Sequence, residues 1–365
     1  MIWCIYIALI VVGLFLRNSK PYALVVILFM GFMAWDNTGA ADYYNIYWLP
    51  YQDPSIWLEL EPGWRFLCEL GGHVGLSYNG FACLAAMLST ALLYTFAKGA
   101  NVNTSLFLSL FLIYPGPMSL VQFRQFLAST IVAGGLLFLL RSERSKYIAY
   151  AFIALLAYSI HRSALLMLPA ALFPIALHAG KRERILLALI ALVFAAYVTI
   201  NAEALSTYFF GEAKTSAYLL QTESIVGEAT RLGGIRNVVY LIGFAALSLY
   251  LYKFTKRDEI GTKVVGGTRG DFWAAILGVN IIVLLLVPFA TITNDFMRFQ
   301  RYAFTYSIAF FSLMPMLSVR HRLLSCKAFY VIVCLAFAYP FVIAGTFEIV
   351  YVPLLSYNAC PPFFV

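Results

Sequence analysis

Arginine supplies most of the chemistry this sequence offers, and it recurs beside His, Tyr, Trp and carboxylates in four short stretches. The first is Asp42-Tyr43-Tyr44-Asn45 with Tyr47 and Trp48, followed by Glu61-Pro62-Gly63-Trp64-Arg65. Aromatic rings stack on sugar faces while carboxylates and amides hold hydroxyls, so the mixture suits a carbohydrate-binding shelf. An interfacial aromatic belt explains the rings as well, but not Asp42 beside them. The second stretch is Gln122-Phe123-Arg124-Gln125, and the third is the turn Ser159-Ile160-His161-Arg162-Ser163. The fourth runs from Asn294 to Tyr302, where Arg298 and Arg301 are three apart and share a helix face. Asp295, three before Arg298, is placed to pair with it. Arg231 and Arg236 flank a Gly233-Gly234 pair expected to act as a hinge.

Guanidinium forks bind phosphate bidentately and stay charged in a poor dielectric, so a collection of Arg with a sugar-binding loop points to a lipid-linked phosphosugar. The six cysteines form no CxxC pair and no zinc-ligand spacing with His, so neither a metal ion nor another cofactor is expected. Only Cys68 and Cys360 would reach the outer face, where a disulfide is possible.

The elements that must position these residues are membrane helices. At 62% hydrophobic, 12% charged and mean hydropathy +0.83, the 365-residue chain lies far outside the soluble range. Apolar runs at 2–16, 21–35, 77–97, 104–114, 123–140, 147–160, 163–178, 185–200, 236–254, 272–290, 302–318 and 329–346 predict about twelve transmembrane helices in a single all-α polytopic domain, 1–365. The first run has no basic n-region and no cleavage site, so it reads as a retained span.

Strict alternation puts seventeen of the twenty-five Lys and Arg residues on one side, including the RSERSK, KRER and VRHRLLSCK breaks. That side is the cytoplasm by the positive-inside rule, which leaves both termini outside. The eight basic residues on the outer side are Arg65, Arg124, Arg162, Lys214, Arg231, Arg236, Arg298 and Arg301. All four chemical stretches fall there too. The net charge of +8 is thus a topology signal and not a nucleic-acid footprint. Two outer loops are long: 36–76, in which 55–70 is expected to form an interfacial amphipathic helix, and 201–235, expected to be helical.

At these sites the chain resembles the EpsG family of polysaccharide polymerases, within the wider Wzy class. The matching elements are Asp42-Tyr43 with Tyr47, Glu61 to Trp64, Arg124-Gln125-Phe126-Leu127-Ala128, His161-Arg162-Ser163-Ala164 and Arg301-Tyr302, in order over residues 36–305. The resemblance implies an enzyme of the bacterial inner membrane with an all-helical, GT-C-like architecture. Such an enzyme joins undecaprenyl-diphosphate-linked oligosaccharide repeats into exopolysaccharide, capsule or O-antigen at the outer face. The lipid-linked oligosaccharide would be both donor and acceptor, with membrane lipid, a chain-length regulator and other assembly proteins as partners.

On that reading Arg124, Arg298 and Arg301 are fixed cations for the departing diphosphate. Asp42 or His161 is the general base, with Asp42 preferred because Arg162 adjoins His161. Tyr43, Tyr47, Glu61, Trp64, Arg65, Gln125, Arg162, Arg231, Arg236 and Tyr302 would bind substrate. A flippase for lipid-linked sugars, a membrane O-acyltransferase and a polysaccharide ligase are the rival readings. No inverted repeat or pair of broken helices favours the first.

Overall fold

Small polar side chains set where several helices begin. In the computed structural model, Ser19 accepts the Tyr22 N–H at 3.3 Å, Ser77 accepts the Gly80 N–H at 3.1 Å and Asn103 accepts the Leu106 N–H at 3.2 Å. Each satisfies one of the orphan donors of a first turn. The structure describes residues 2–39, 43–53, 61–143, 145–178, 180–182, scattered positions between 185 and 204, 225–258, 268–286, 297–316, 326–341, 347–348, 350–356 and 362–364. For 44–46, 177–178, 225–237, 256–258, 268–269, 297–298 and 340–341 it describes the backbone alone.

The longer helices are α1 (Ile2–Phe15), α2 (Lys20–Trp35), α3 (Pro62–His73), α4 (Tyr78–Gly99), α5 (Thr104–Ile113) and α6 (Phe123–Leu136). They are followed by α7 (Lys146–Tyr158), α8 (Leu172–His178), α9 (Ile225–Asp258), α10 (Thr268–Leu285), α11 (Met297–Leu313) and α12 (Lys327–Phe341). Among the described residues there is no strand, and every apolar run carries helix; the run 185–200 is described only in part. The all-helical expectation therefore holds.

Among the described residues, three segments are long and apolar enough to cross a bilayer: Tyr78–Gly99, Phe123–Leu140 and Val238–Thr255. The remaining apolar helices have 10–17 residues, which at about 1.5 Å per residue reach less than the ~30 Å hydrocarbon core. Helix α9 has 34 residues and extends well beyond its apolar segment. Gly233 and Gly234 lie inside it, so the expected hinge is instead continuous helix. The described part of the expected amphipathic helix is Pro62–His73, with Pro in its first turn, where the missing N–H costs nothing. Residues 54–60 lie outside the described residues.

The chain divides into two compact units: Met1–Leu137, Phe152–Leu165 and Ile308–Val365 form the first, and Phe138–Ala151 with Leu166–Ser307 the second. In the first unit, α5 is the core. Seven of its ten residues are Leu, Phe or Ile and all ten are buried, with α1, α2, α4 and α12 packed against it. Tyr6 donates to the Leu112 carbonyl and Ser109 to the Ile10 carbonyl, each at 2.7 Å, tying α1 to α5 where no water competes. The chain ends meet within this unit: Trp3 Nε1 donates to Ser356 Oγ at 2.9 Å, and Ser77 N–H donates to the Phe363 carbonyl at 3.0 Å.

In the second unit α10 packs between α8 and α9. Ser248, Asn280 and Ser307 form a buried hydrogen-bonded group joining α9, α10 and α11, and Lys146 pairs with Asp271 near the starts of α7 and α10. The outward faces of both units are apolar as well: Ile7, Val11 and Phe15 on α1, Ile332 and Leu335 on α12, and Val239 and Ile242 on α9 are exposed. Apolar residues inside and outside alike are the mark of a protein whose solvent is lipid.

Candidate functional site

Glu61 precedes Pro62 in extended backbone (φ −60°, ψ 137°). From there Gly63 N–H donates to the Ser159 carbonyl at 2.7 Å, and Trp64 N–H reaches the same oxygen at 3.3 Å. Helix α3 thus starts directly against the C-terminal end of α7. A Cβ on Gly63 would collide with Ser159 Oγ and lie 2.8 Å from its carbonyl oxygen, so the close approach demands glycine. This is the physical reason for a Gly between Pro62 and Trp64.

The docking carries Glu61 into reach of two other stretches. Its Oε2 accepts from Arg124 Nη1 at 2.8 Å, and its Oε1 accepts the Arg162 backbone N–H at 3.2 Å. The second bond also caps the 3₁₀ helix Arg162–Ala171, whose N-terminal dipole favours a carboxylate. The Glu61 side chain is 10% exposed and that of Arg124 is 21% exposed, so the pair is sheltered but the guanidinium keeps an open side. The Arg124 guanidinium also lies 6.0 Å from the centre of the Tyr47 ring.

Behind Arg124 stands a wall of rings. Trp64 meets Tyr47, Phe81 and Phe123 edge-on at centroid distances of 6.4, 5.5 and 5.8 Å. Tyr47 stacks on Tyr78 at 6.3 Å, and Tyr43 donates its hydroxyl to Asn79 Oδ1 at 2.6 Å. Tyr43, Tyr47 and Trp64 are 5%, 7% and 1% exposed, so their rings pack against the protein and shape the back of the site. Cys68, one turn after Trp64, belongs to the same buried face; burial pushes its thiol up to about 12 against the pull of Arg124. It is a free thiol, and Cys360 lies outside the described residues.

His161 sits half-buried in the turn between α7 and the 3₁₀ helix. Its Nδ1 lies 2.6 Å from Ser163 Oγ and accepts the Ser163 backbone N–H at 3.2 Å. A backbone N–H is a donor in every protonation state, so Nδ1 carries the lone pair and the ring proton of the neutral imidazole sits on Nε2.

Arg65 is exposed and pairs with Glu69 one turn along, at 2.8 Å. Gln125 is buried. Asp42 and Asp295 lie outside the described residues. In the second unit, Arg301 and Tyr302 are buried near the start of α11, and Tyr302 meets Tyr306 edge-on at 6.3 Å. Arg298 is on the first turn of the same helix, and Arg231 and Arg236 are on α9; the side chains of these three are outside the described residues. The first unit therefore brings together Tyr43, Tyr47, Glu61, Trp64, Arg124, His161 and Arg162, while Arg298, Arg301 and Tyr302 belong to the second.

Two features of this site escaped the sequence. The Ser159 carbonyl is a backbone group with no residue-type signature, though the Gly63 it requires was visible. The Glu61–Arg124 pair joins residues 63 apart, beyond any local pattern.

A model of the EpsG family matches residues 20–358. No curated protein and no solved structure matches the chain.

Proposed function

The chain belongs to the EpsG family of Wzy-type polysaccharide polymerase-like membrane proteins, and from that premise we propose that it polymerises undecaprenyl-diphosphate-linked oligosaccharide repeats at the outer face of the cytoplasmic membrane. The observation that carries the proposal is the junction at Glu61. Three short motifs scattered over 101 residues meet at one half-buried guanidinium with a histidine turn beside it.

In the reaction, the bond between the anomeric carbon of the growing glycan and its diphosphate breaks. A glycosidic bond to a hydroxyl of the next lipid-linked repeat forms. Negative charge grows on the departing diphosphate, and Arg124 meets it with a fixed charge and a flat array of N–H donors. His161, with its proton on Nε2, donates to the same oxyanion or to the acceptor sugar. Asp42 is our assignment for the group that takes the acceptor's proton. Arg298 and Arg301 supply further cations, with Tyr302 beside them. Arg162, Arg65 and Gln125 are the residues we assign to holding the glycan, and Arg231 and Arg236 to its entry from the second outer loop.

About twelve spans in a GT-C-like arrangement with both termini outside is the architecture we propose. The Trp3–Ser356 contact, which brings the two chain ends together, supports the placement of both ends on one side.

The test is purified protein in lipid nanodiscs, supplied with lipid-linked repeat extracted from cells in which this chain is deleted. A size ladder of products supports the polymerase. Repeat moved between leaflets unchanged makes it a flippase, a single added acyl group makes it an acyltransferase, and transfer of preformed polymer to a different lipid makes it a ligase.

A further inference from the structure

Both oxygens of the Glu61 carboxylate are engaged by protein donors. Oε2 holds Arg124 Nη1 at 2.8 Å and Oε1 holds the Arg162 N–H at 3.2 Å, from positions 63 and 101 residues away in sequence. The carboxylate that makes these bonds is itself fixed in place. Pro62 follows it and restricts its backbone, and the next two N–H groups, of Gly63 and Trp64, both dock on Ser159. Glu61 is 9% exposed, so the pair lies in a sheltered setting where a charge-assisted hydrogen bond is strong and its geometry well defined.

A carboxylate with both oxygens in use is poorly placed to hold a substrate hydroxyl as well. It is well placed to hold an arginine. Arg124 gives one nitrogen to Glu61, and its Nε is buried with no hydrogen-bond partner among the described residues. Among the described residues, no other acceptor takes the remaining donors of the fork. The same carboxylate anchors the first N–H of the 3₁₀ helix that follows His161 and so fixes the histidine turn relative to the guanidinium.

We infer that Glu61 is a positioning residue: it sets the orientation of Arg124 and pins the His161–Arg162 turn to it, without contacting the substrate itself. This assignment rests on the reading that Arg124 stabilises the departing diphosphate.

The experiment compares Glu61→Gln, Glu61→Asp, Glu61→Ala and Arg124→Ala in nanodiscs, using lipid-linked repeat extracted from cells lacking this chain. The readouts are kcat and KM per folded molecule together with the thermal midpoint. Glu61→Gln keeps an acceptor for the Arg162 N–H but loses the charge that orients Arg124. It is expected to keep the wild-type midpoint and KM while kcat falls about 10- to 100-fold, the cost of a misplaced catalytic group. Glu61→Asp retains the carboxylate and recovers part of that loss, whereas Glu61→Ala does not.

A rise in KM at unchanged kcat would make Glu61 a substrate contact and overturn the inference. Variants that lose folded protein but turn over normally per folded molecule would make Glu61 purely structural and overturn it too. Should Glu61→Gln not fold, Glu61→Asp carries the same comparison. Arg124→Ala separates the two levels. If it is inactive while Glu61→Gln is fully active, only the positioning role fails. If Arg124→Ala is itself fully active, the premise about the diphosphate fails with it.

Discussion

The Arg124–Glu61 pair of the first unit and the Lys146–Asp271 pair of the second each join residues distant in sequence, yet their surroundings differ. Lys146 and Asp271 are each 7% exposed, and Tyr147 adds its hydroxyl to the same carboxylate oxygen at 3.3 Å. That pair is sealed. Arg124 keeps 21% of its side chain open, offers a planar fork in place of a compact ammonium, and uses one nitrogen on its partner. The difference separates a pair that holds helices from a pair that presents a cation. Burial alone does not decide which is which; what counts is how much hydrogen-bonding capacity is left over on the exposed side.

The contrast can be broken most severely at Lys146. Lys146→Ala strands the buried Asp271 carboxylate, and an expected loss of about 3–5 kcal/mol should be seen as a large fall in thermal midpoint. Turnover per folded molecule should stay at the wild-type value, and the apolar pair Lys146→Met with Asp271→Leu should restore stability. A midpoint that hardly moves in Lys146→Ala would remove the distinction between the two pairs.

Gly63→Ala comes next. The new methyl meets Ser159, and overpacking of this kind costs about 1–3 kcal/mol. Because the seam it opens also carries Glu61, stability and turnover should fall together. Loss of stability alone would show that the seam does not position the site.

Cys68 sharpens the contrast through pH. Burial, the largest cause, raises its thiol to about 12, opposed by Arg124 and aided by Glu69, from an ordinary value of 9.0. A raised folded-state value means the fold favours the protonated thiol. The stabilisation is fully present below about 9 and is lost as pH rises through about 12. Iodoacetamide reacts with the thiolate, so it should label Cys68 in the native protein far more slowly than a free thiol, with a rate still climbing about tenfold per pH unit at pH 9. A rate that levels off near pH 9, as for an ordinary thiol, would contradict this.

The smallest effect is expected at Arg65, whose pair with Glu69 is half-exposed and one turn apart on α3. Arg65→Ala should cost about 0.3–0.5 kcal/mol, within the error of most thermal melts. A substantial rise in KM would nonetheless mark it as a glycan contact.

The sequence made the helices legible because apolar runs in a bilayer need no tertiary partner to be recognised. Every described run is helical, and Ser19, Ser77 and Asn103 announce helix starts in the ordinary way. The extent of α9 through Gly233 and Gly234 was not legible, since a Gly pair costs helix propensity without forbidding the helix.

At the site, the motif residues Glu61, Trp64, Arg124, His161 and Arg162 were singled out by type, and they do gather. Their division of labour was not visible. Tyr47 and Trp64 looked like sugar platforms and are buried as a packing wall. Nothing in residue type tells a ring facing a ligand from a ring facing another ring.

The central claim is that Arg124 offers its guanidinium to the diphosphate as the glycan leaves. Single-turnover transfer, measured with lipid-linked repeat on nanodisc-embedded Arg124→Ala and Arg124→Lys, tests it most directly. Removing a preorganised donor of this kind should slow Arg124→Ala by about 10²–10³-fold with the helical fold intact, and Arg124→Lys, which keeps the charge but not the fork, should recover only part of the rate. Transfer by Arg124→Ala at the wild-type rate would contradict the account.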